Sequence, residues 1–182
     1  MQEDKIKWNI RYINNHMPTQ TSELLLEFED LLPHSGRVLD IACGNGRNLK
    51  FLAKKGLECE GIDISEVALA KIQKIDNIHT FCMDLDGFKL EKESYDVILN
   101  FYFLDRRILS QVSDALRSGG YLFLETFIED ALYPTTISPN KILRDGELEK
   151  FFCDLKIIHQ STKIILRNQE KAKIVSLVAQ KC

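Results

Sequence analysis

The sequence predicts an α/β fold: a doubly wound, mostly parallel sheet of seven strands, with helices on both faces and an antiparallel hairpin at the C-terminal end. Three observations predict it. Short apolar runs of strand length alternate with stretches whose apolar residues recur every three or four positions, the pattern of strand–helix–strand units. A glycine turn directly follows the first apolar run and opens into a helix. The last two strand-length runs have no helix between them, so they pair antiparallel. The 182 residues, 45% hydrophobic and 28% charged, suit a single domain over 1–182, with a helical N-terminal part at 1–33 and the sheet-bearing core at 34–182.

Residues 5–15 and 20–32 read as helices; Thr21 or Ser22 caps the second, whose stripe is Leu24, Leu25, Phe28, Leu31 and Leu32. Pro33 to Gly36 is a turn. Val38 to Ala42 is a buried-strand candidate, and Gly44-Asn45-Gly46 turns the chain. Arg47 to Lys55 is a helix, with Lys54 and Lys55 in its last turn and Gly56 at its stop. Leu57 to Ile62 is the second strand, and a helix over 66–75 follows with Ser65 as its N-cap. Strands follow at 78–83 and 95–101, then a helix over 105–117 that Ser118-Gly119-Gly120 stops. A strand at 121–127, a short helix at 144–152 and strands near 154–160 and 173–180 complete the order. The run Lys163 to Lys173, with Lys163, Arg167, Lys171 and Lys173, reads as a solvated hairpin or as a place to touch RNA or a phosphate.

Composition excludes several classes. With 24 basic and 27 acidic residues the net charge is −3, which argues against wrapping nucleic acid by bulk charge. Cysteines at 43, 59, 82, 153 and 182 are odd in number and lack C-x-x-C spacing, which argues against a disulfide framework or zinc ribbon and for a reducing compartment. The opening Met1 to Lys5 lacks the apolar run of a signal peptide, and no stretch reaches membrane-spanning length, so a cytoplasmic location is expected. The four histidines are dispersed and two alternating carboxylates, Asp84 and Asp86, are weak ligands, so no metal is expected.

Ligands of such sheets bind outside the C-terminal ends of the strands. Around Val38 to Gly46, two glycines allow close backbone approach, but position 49 is Leu where a dinucleotide fingerprint has its third glycine, and there is no P-loop. Asp40, four residues before Gly44, would repel a pyrophosphate and suits an amine. Asp63 ends the second strand, 19 residues after Gly44, where ribose hydroxyls are bound. Asp84 ends the third and can accept from an adenine amino group. Ribose, adenine, a cation and no phosphate is the inventory of S-adenosylmethionine.

These residues resemble class I (Rossmann-like) S-adenosylmethionine-dependent methyltransferases. Val38–Gly46 is similar to that superfamily's first motif, Gly61-Ile62-Asp63 to its acidic second, and Leu116 to Gly120 to its late L-x-x-G-G turn. Trp8 to Tyr12, Gly46-Arg47-Asn48, Asn100 to Leu104, Glu125-Thr126-Phe127 and Leu143 to Leu148 further resemble small bacterial enzymes of the tellurite-resistance type. The resemblance implies that Asp40 and the backbone of Ala42, Cys43 and Gly44 hold the methionine part. Asp63 takes the ribose, Ile64 lies against the adenine, and Asp84 and Leu85 flank it. The backbone of Asn100 and Phe101 faces the amine. It also implies that Trp8 and Tyr12, four apart on one helix face, belong to a lid at 1–33, the alternative being that Trp8 anchors the helix to the core. Arg11 either meets the cofactor carboxylate or is a solvated charge. Cys43 suits packing better than nucleophilic attack.

Methyl transfer from a sulfonium needs positioning, and a base only where the acceptor must lose a proton. Tyr102 is the candidate for an aromatic face near the sulfonium, or else packs in the core. Glu125 is the candidate base or acceptor-orienting group, or else a solvated strand end. Arg106 and Arg107 could attract an anionic acceptor, or else cap a helix surface. Asn100-Phe101-Tyr102-Phe103 lacks the prolines of DNA amino-methylating enzymes, so no DNA substrate is expected. No Pro-Cys pair exists for RNA cytosine-5 chemistry, and the isoelectric point near 5.8 does not favour a polyanion. A small-molecule acceptor, such as a thiol or a chalcogen oxyanion, is therefore preferred. The alternatives are a tRNA or protein methyltransferase acting with a partner, and a non-catalytic S-adenosylmethionine-binding regulatory module. A monomer or a homodimer is expected.

Overall fold

The computed structural model describes residues 2–14, 17–167 and 169–182. Its centre is one seven-stranded sheet: β1 (Arg37–Ile41), β2 (Glu58–Asp63), β3 (Ile78–Cys82), β4 (Tyr95–Phe101), β5 (Leu116–Phe127), β6 (Leu155–Arg167) and β7 (Glu170–Lys181). The order is β3-β2-β1-β4-β5-β7-β6. The first five strands are parallel, and β7 and β6 add antiparallel. The switch point lies between β1 and β4, so the ends of these strands bound the natural crevice.

The helices are α1 (Gln2–Asn14), α2 (Glu23–Glu27), α3 (Arg47–Lys54), α4 (Glu66–Leu69), α5 (Arg106–Ala115) and α6 (Glu147–Phe151). Alternation along each strand sends side chains to two cores. Val38, Val97, Leu99 and Phe123 pack with α2 and α3 through Leu25, Leu49 and Leu52. Leu39, Ile98, Leu122 and Leu124 pack with α5 and α6 through Ile108, Leu109 and Leu148. Val97, Ile98 and Leu99 are wholly buried, as a central parallel strand requires. No helix among the described residues is long and apolar enough to cross a membrane.

Several element ends differ from the sequence reading. The helix expected over 5–15 runs from Gln2 to Asn14, and Asn15 lies outside the described residues. The helix expected over 20–32 shortens to α2 and a 3-10 turn at Glu29–Leu31, because Phe28 leaves helical backbone at φ −111°. Ser22 is its N-cap by position without a side-chain bond; its N–H donates to Asn48 Oδ1 at 3.0 Å. Beyond Leu69, α4 gives way to a tighter turn (Ile72 N–H to Leu69 carbonyl, 2.9 Å), which places Ile72 where a Cβ on Gly46 would meet its Cδ1 at 2.7 Å. Helix α5 ends at Ala115 rather than Arg117, and Leu116 extends to pair with Tyr95. Gly119 and Gly120 therefore lie inside β5 instead of terminating a helix; a Cβ on Gly120 would crowd the carbonyls of Arg117, Asp96 and Tyr95 at 2.9–3.2 Å. Helix α6 is shorter than 144–152 because Gly146 sets its start in left-handed backbone at φ 73°. The hairpin strands extend through most of the basic run, so Lys163, Arg167, Lys171 and Lys173 are strand residues.

Candidate active site

The crevice begins at the exit of β1. The ladder continues two residues past the strand, where Cys43 N–H donates to the Ile62 carbonyl at 3.0 Å. The chain then turns through left-handed backbone at Ala42 (φ 56°), Gly44 (φ 58°) and Gly46 (φ 68°) into α3. For Ala42 this conformation is costly, which marks a loop held in shape by its surroundings.

Asp63 is part of what holds it. Its Oδ2 accepts the Gly44 N–H and its Oδ1 the Ser65 N–H, each at 2.8 Å. The carboxylate so ties the glycine loop to the β2–α4 turn, with further lone pairs for hydroxyl donors. Burial raises its pKa, opposed by the hydrogen bonds from Ser65, Gly44 and Ile64. Asp40 stands differently. It is 3% exposed, and no hydrogen bond or ion pair reaches its carboxyl among the described residues. Burial pushes its pKa up to about 8; the Arg47 guanidinium opposes the rise and Asp63 adds to it.

Helix α1 covers this loop. Asn9 Oδ1 accepts from Ser65 Oγ at 2.7 Å and from Val67 N–H at 3.4 Å, while Lys5 pairs with Glu66 at 3.0 Å. Trp8 and Tyr12 share a face, their rings 6.4 Å apart. The Tyr12 phenol lies directly over Gly44, where a Cβ would stand 2.1 Å from the hydroxyl oxygen. Lys71 Nζ donates to the Tyr12 carbonyl. Arg11 is turned onto the Trp8 ring, 5.1 Å from its centroid. A cleft of about 600 Å³ opens beside the loop, bounded by Ile13, Met17, Gln20, Asn45 and Lys71.

The other residues singled out from sequence separate into two groups. Asn100 is fully buried at the end of β4, and both its amide atoms lack a partner among the described residues. Cys43 is buried with its thiol pushed up by that burial. Ile64 follows Asp63 at the crevice, its carbonyl 3.7 Å from Cys82 Sγ. Leu85 and Phe101 carry their side chains into the two cores, and it is the backbone of Phe101 that lies at the end of β4. Asp84 is exposed, and its Oδ1 accepts the Asp86 N–H at 3.0 Å.

A second cluster lies across the crevice, on the α2–α3 face of the sheet. Tyr102 follows β4 in left-handed backbone (φ 59°), its N–H donating to the Glu125 carbonyl at 2.7 Å. That turn folds its phenol back onto Glu125 Oε1 at 2.6 Å. Glu125 is not a solvated strand end: it is 6% exposed, and its Oε2 accepts Ser176 Oγ–H at 2.7 Å and stands 3.7 Å from Lys163 Nζ. Burial and the Glu125 hydrogen bond hold the Tyr102 phenol well above the ordinary tyrosine range. Phe127 packs on Tyr102 at 5.5 Å, and the Arg167 guanidinium covers Phe127 at 5.1 Å.

Arg106 and Arg107 do not face this cluster as free cations. Arg106 makes a fork with both Glu147 oxygens at 2.8 Å and also binds the Asn140 and Ile142 carbonyls at 3.0 Å. Arg107 is neutralised by Asp86 and Asp105. Sequence reasoning missed Ser176 and gave Arg47 no role, included Phe127 only within an acceptor lining over 125–130, and placed Lys163 and Arg167 on a hairpin that is solvated or touches RNA or a phosphate. The signal for them is register: Glu125 stands opposite Ser176, and Phe127 opposite Ile174, in the β5–β7 pairing.

A family model described as a methyltransferase domain matches residues 13–152. Among curated proteins, Hemagglutinin 1 of Eikenella corrodens is 23% identical over 163 residues, 80% of this chain and 54% of that protein. A tRNA U34 carboxymethyltransferase of Pseudoalteromonas translucida is 31% identical over 130 residues, 62% of this chain and 40% of that protein. The S-adenosyl-L-methionine-dependent methyltransferase TehB of Haemophilus influenzae is 25% identical over 134 residues, 67% and 46% of the two chains. Its crystal structure superposes with a TM-score of 0.77 at 19% identity, over 98% of this chain and 67% of that one. The chain thus spans about half the length of these curated relatives. With the family model covering well over half of its residues, the chain belongs to the methyltransferase domain family.

Proposed function

We propose that the chain binds S-adenosylmethionine at the glycine loop and transfers its methyl group to a small-molecule acceptor, a thiol or a chalcogen oxyanion. The observation that carries this reading is Asp40: a buried carboxyl with no hydrogen bond or ion pair among the described residues, beside a glycine turn, its register partner Gly61 lying two residues before Asp63 on the next strand. A buried carboxyl of this kind suits a ligand ammonium. When bound, the sulfonium supplies an electrophilic methyl group. Asp40 holds the amine, Asp63 accepts from ribose hydroxyls with its unused lone pairs, and the Asn100 amide is free to bond within the crevice. Trp8 and Tyr12 exclude water from above the loop. Tyr102 and Glu125 line the acceptor side and orient the acceptor.

The test is transfer of labelled methyl from S-adenosylmethionine to a panel of thiols and of selenium and tellurium oxyanions. Label should enter one acceptor class with the native chain and none with Gly44→Arg, which should remain folded. Label appearing in no acceptor, or equally with Gly44→Arg, would remove the reading. The tRNA-modifying relative favours a second acceptor class, so unmodified tRNA belongs in the same panel.

A further inference from the structure

We propose that the acceptor gives up a proton during transfer, and that Tyr102 and Glu125, fixed by Ser176 and Lys163, form the route that takes it. This rests on the methyl-transfer reading above and narrows its acceptor to one bearing a proton on the attacking atom, a thiol before an oxyanion.

Glu125 is a carboxylate almost wholly withdrawn from water, and three groups from three separate elements converge on it. Tyr102 donates from the end of β4 and Ser176 from β7, while Lys163 supplies the countercharge from β6. Such burial is unfavourable for a carboxylate that merely ends a strand. Ser176 lies directly opposite Glu125 in the antiparallel register, so its hydroxyl has one fixed direction. Lys163 is itself steadied by Glu23 of α2, at 3.2 Å.

Tyr102 makes this carboxylate reachable. Its left-handed backbone is unusual for a bulky residue, and such outliers concentrate at functional sites. The residue keeps 39% of its surface open while its hydroxyl is held on Glu125. An acceptor beside the ring therefore meets the phenol oxygen before the carboxylate. In the step, the acceptor's X–H bond breaks and its proton joins Tyr102 Oη. The phenol's own proton moves to Glu125 Oε1. Glu125 ends protonated, Tyr102 is unchanged, and the acceptor keeps its electron pair for the methyl carbon. No oxidant or reductant is needed. The proton returns to water by the same path after product leaves. Ser176 and Lys163 are positioning residues: they hold the carboxylate's second oxygen so that the first faces the phenol.

The experiment compares a small thiol, 2-mercaptoethanol, with selenite, whose selenium attacks through a lone pair without a proton on that atom. Glu125→Gln and Tyr102→Phe should each lower kcat for the thiol by about 100-fold or more, the usual contribution of a positioned base. S-adenosylmethionine affinity should stay near native, and selenite turnover should fall far less than thiol turnover, because only the thiol must lose a proton. Ser176→Ala should lower thiol kcat about tenfold with KM unchanged, and Ser176→Thr should restore it.

A readout on the cofactor-free chain is the tyrosinate absorbance of Tyr102, identified by its absence in Tyr102→Phe. The phenol faces Glu125 from β5, Arg47 from α3, Glu23 from α2 and Arg167 from β6. Glu125→Gln should bring its ionisation to lower pH. Native thiol turnover in Glu125→Gln and Tyr102→Phe, with cofactor still bound, would overturn the proton route and leave the methyl-transfer reading standing. Loss of cofactor binding in the native chain would overturn both.

Discussion

Asp40 concentrates the residue-scale argument. Its carboxyl titrates near pH 8 in the folded chain, against about 3.9 for an exposed aspartate. Between those values the folded chain holds a proton that the unfolded chain has released. Stability of the empty protein therefore falls as pH rises from about 4 to about 8 and levels off above. Thermal melts should follow that course, and Asp40→Asn should flatten it while raising stability at pH 8 by about 1–2 kcal/mol. The same substitution should weaken S-adenosylmethionine binding about tenfold or more, since a hydrogen bond to a charged group contributes about 1.5–3 kcal/mol. An ammonium favours the ionised carboxylate, so affinity should increase with pH up to about 8. Asp40, Gly44 and Asp63 were legible in the sequence because their positions follow from strand ends and a turn. Ser176 and Lys163 were not, because their neighbours are set by pairing across strands far apart in the chain.

At the scale of elements, α1 is a cover fastened at several points, among them Lys5 on Glu66, Lys71 on the Tyr12 carbonyl and Asn9 on the start of α4. Asn9 bridges to Ser65 and Val67 at the start of α4, directly above the turn that Asp63 braces. Asn9→Ala should speed amide exchange in α1 and leave the sheet unaffected. Loss of about 1 kcal/mol would speed cofactor release about fivefold. Hydrogen exchange with and without S-adenosylmethionine measures both. Local backbone set the misplaced ends of α2 and α6, at Phe28 and Gly146, whereas at the end of α5 strand pairing overrode the local signal. The sequence presents Gly119-Gly120 as local punctuation, yet the β4–β5 pairing decides it, and a Cβ at Gly120 would meet the carbonyls of Arg117, Asp96 and Tyr95 at 2.9–3.2 Å. Gly120→Ala should cost about 1–3 kcal/mol, measurable by denaturant unfolding; at Gly119 no atom lies within 4 Å of an added Cβ, and strain arises instead from its left-handed backbone at φ 80°.

At the scale of the whole molecule, the five parallel strands bring Asp40, Asp63 and Asn100 to one end of the sheet, and the antiparallel hairpin brings Ser176 and Lys163 to Glu125. The parallel half was readable from alternating strand and helix patterns with a glycine turn. The hairpin was readable as an element, but its part in the site needed the register. Both halves converge on one crevice, and the account depends on what that crevice binds. Calorimetric titration of the chain with S-adenosylmethionine, with S-adenosylhomocysteine and NAD⁺ as comparators, tests this most directly. The account predicts saturable binding of the first two, none of NAD⁺, and loss of binding in Gly44→Arg. Absence of binding by S-adenosylmethionine and S-adenosylhomocysteine, or equal binding of NAD⁺, would contradict it.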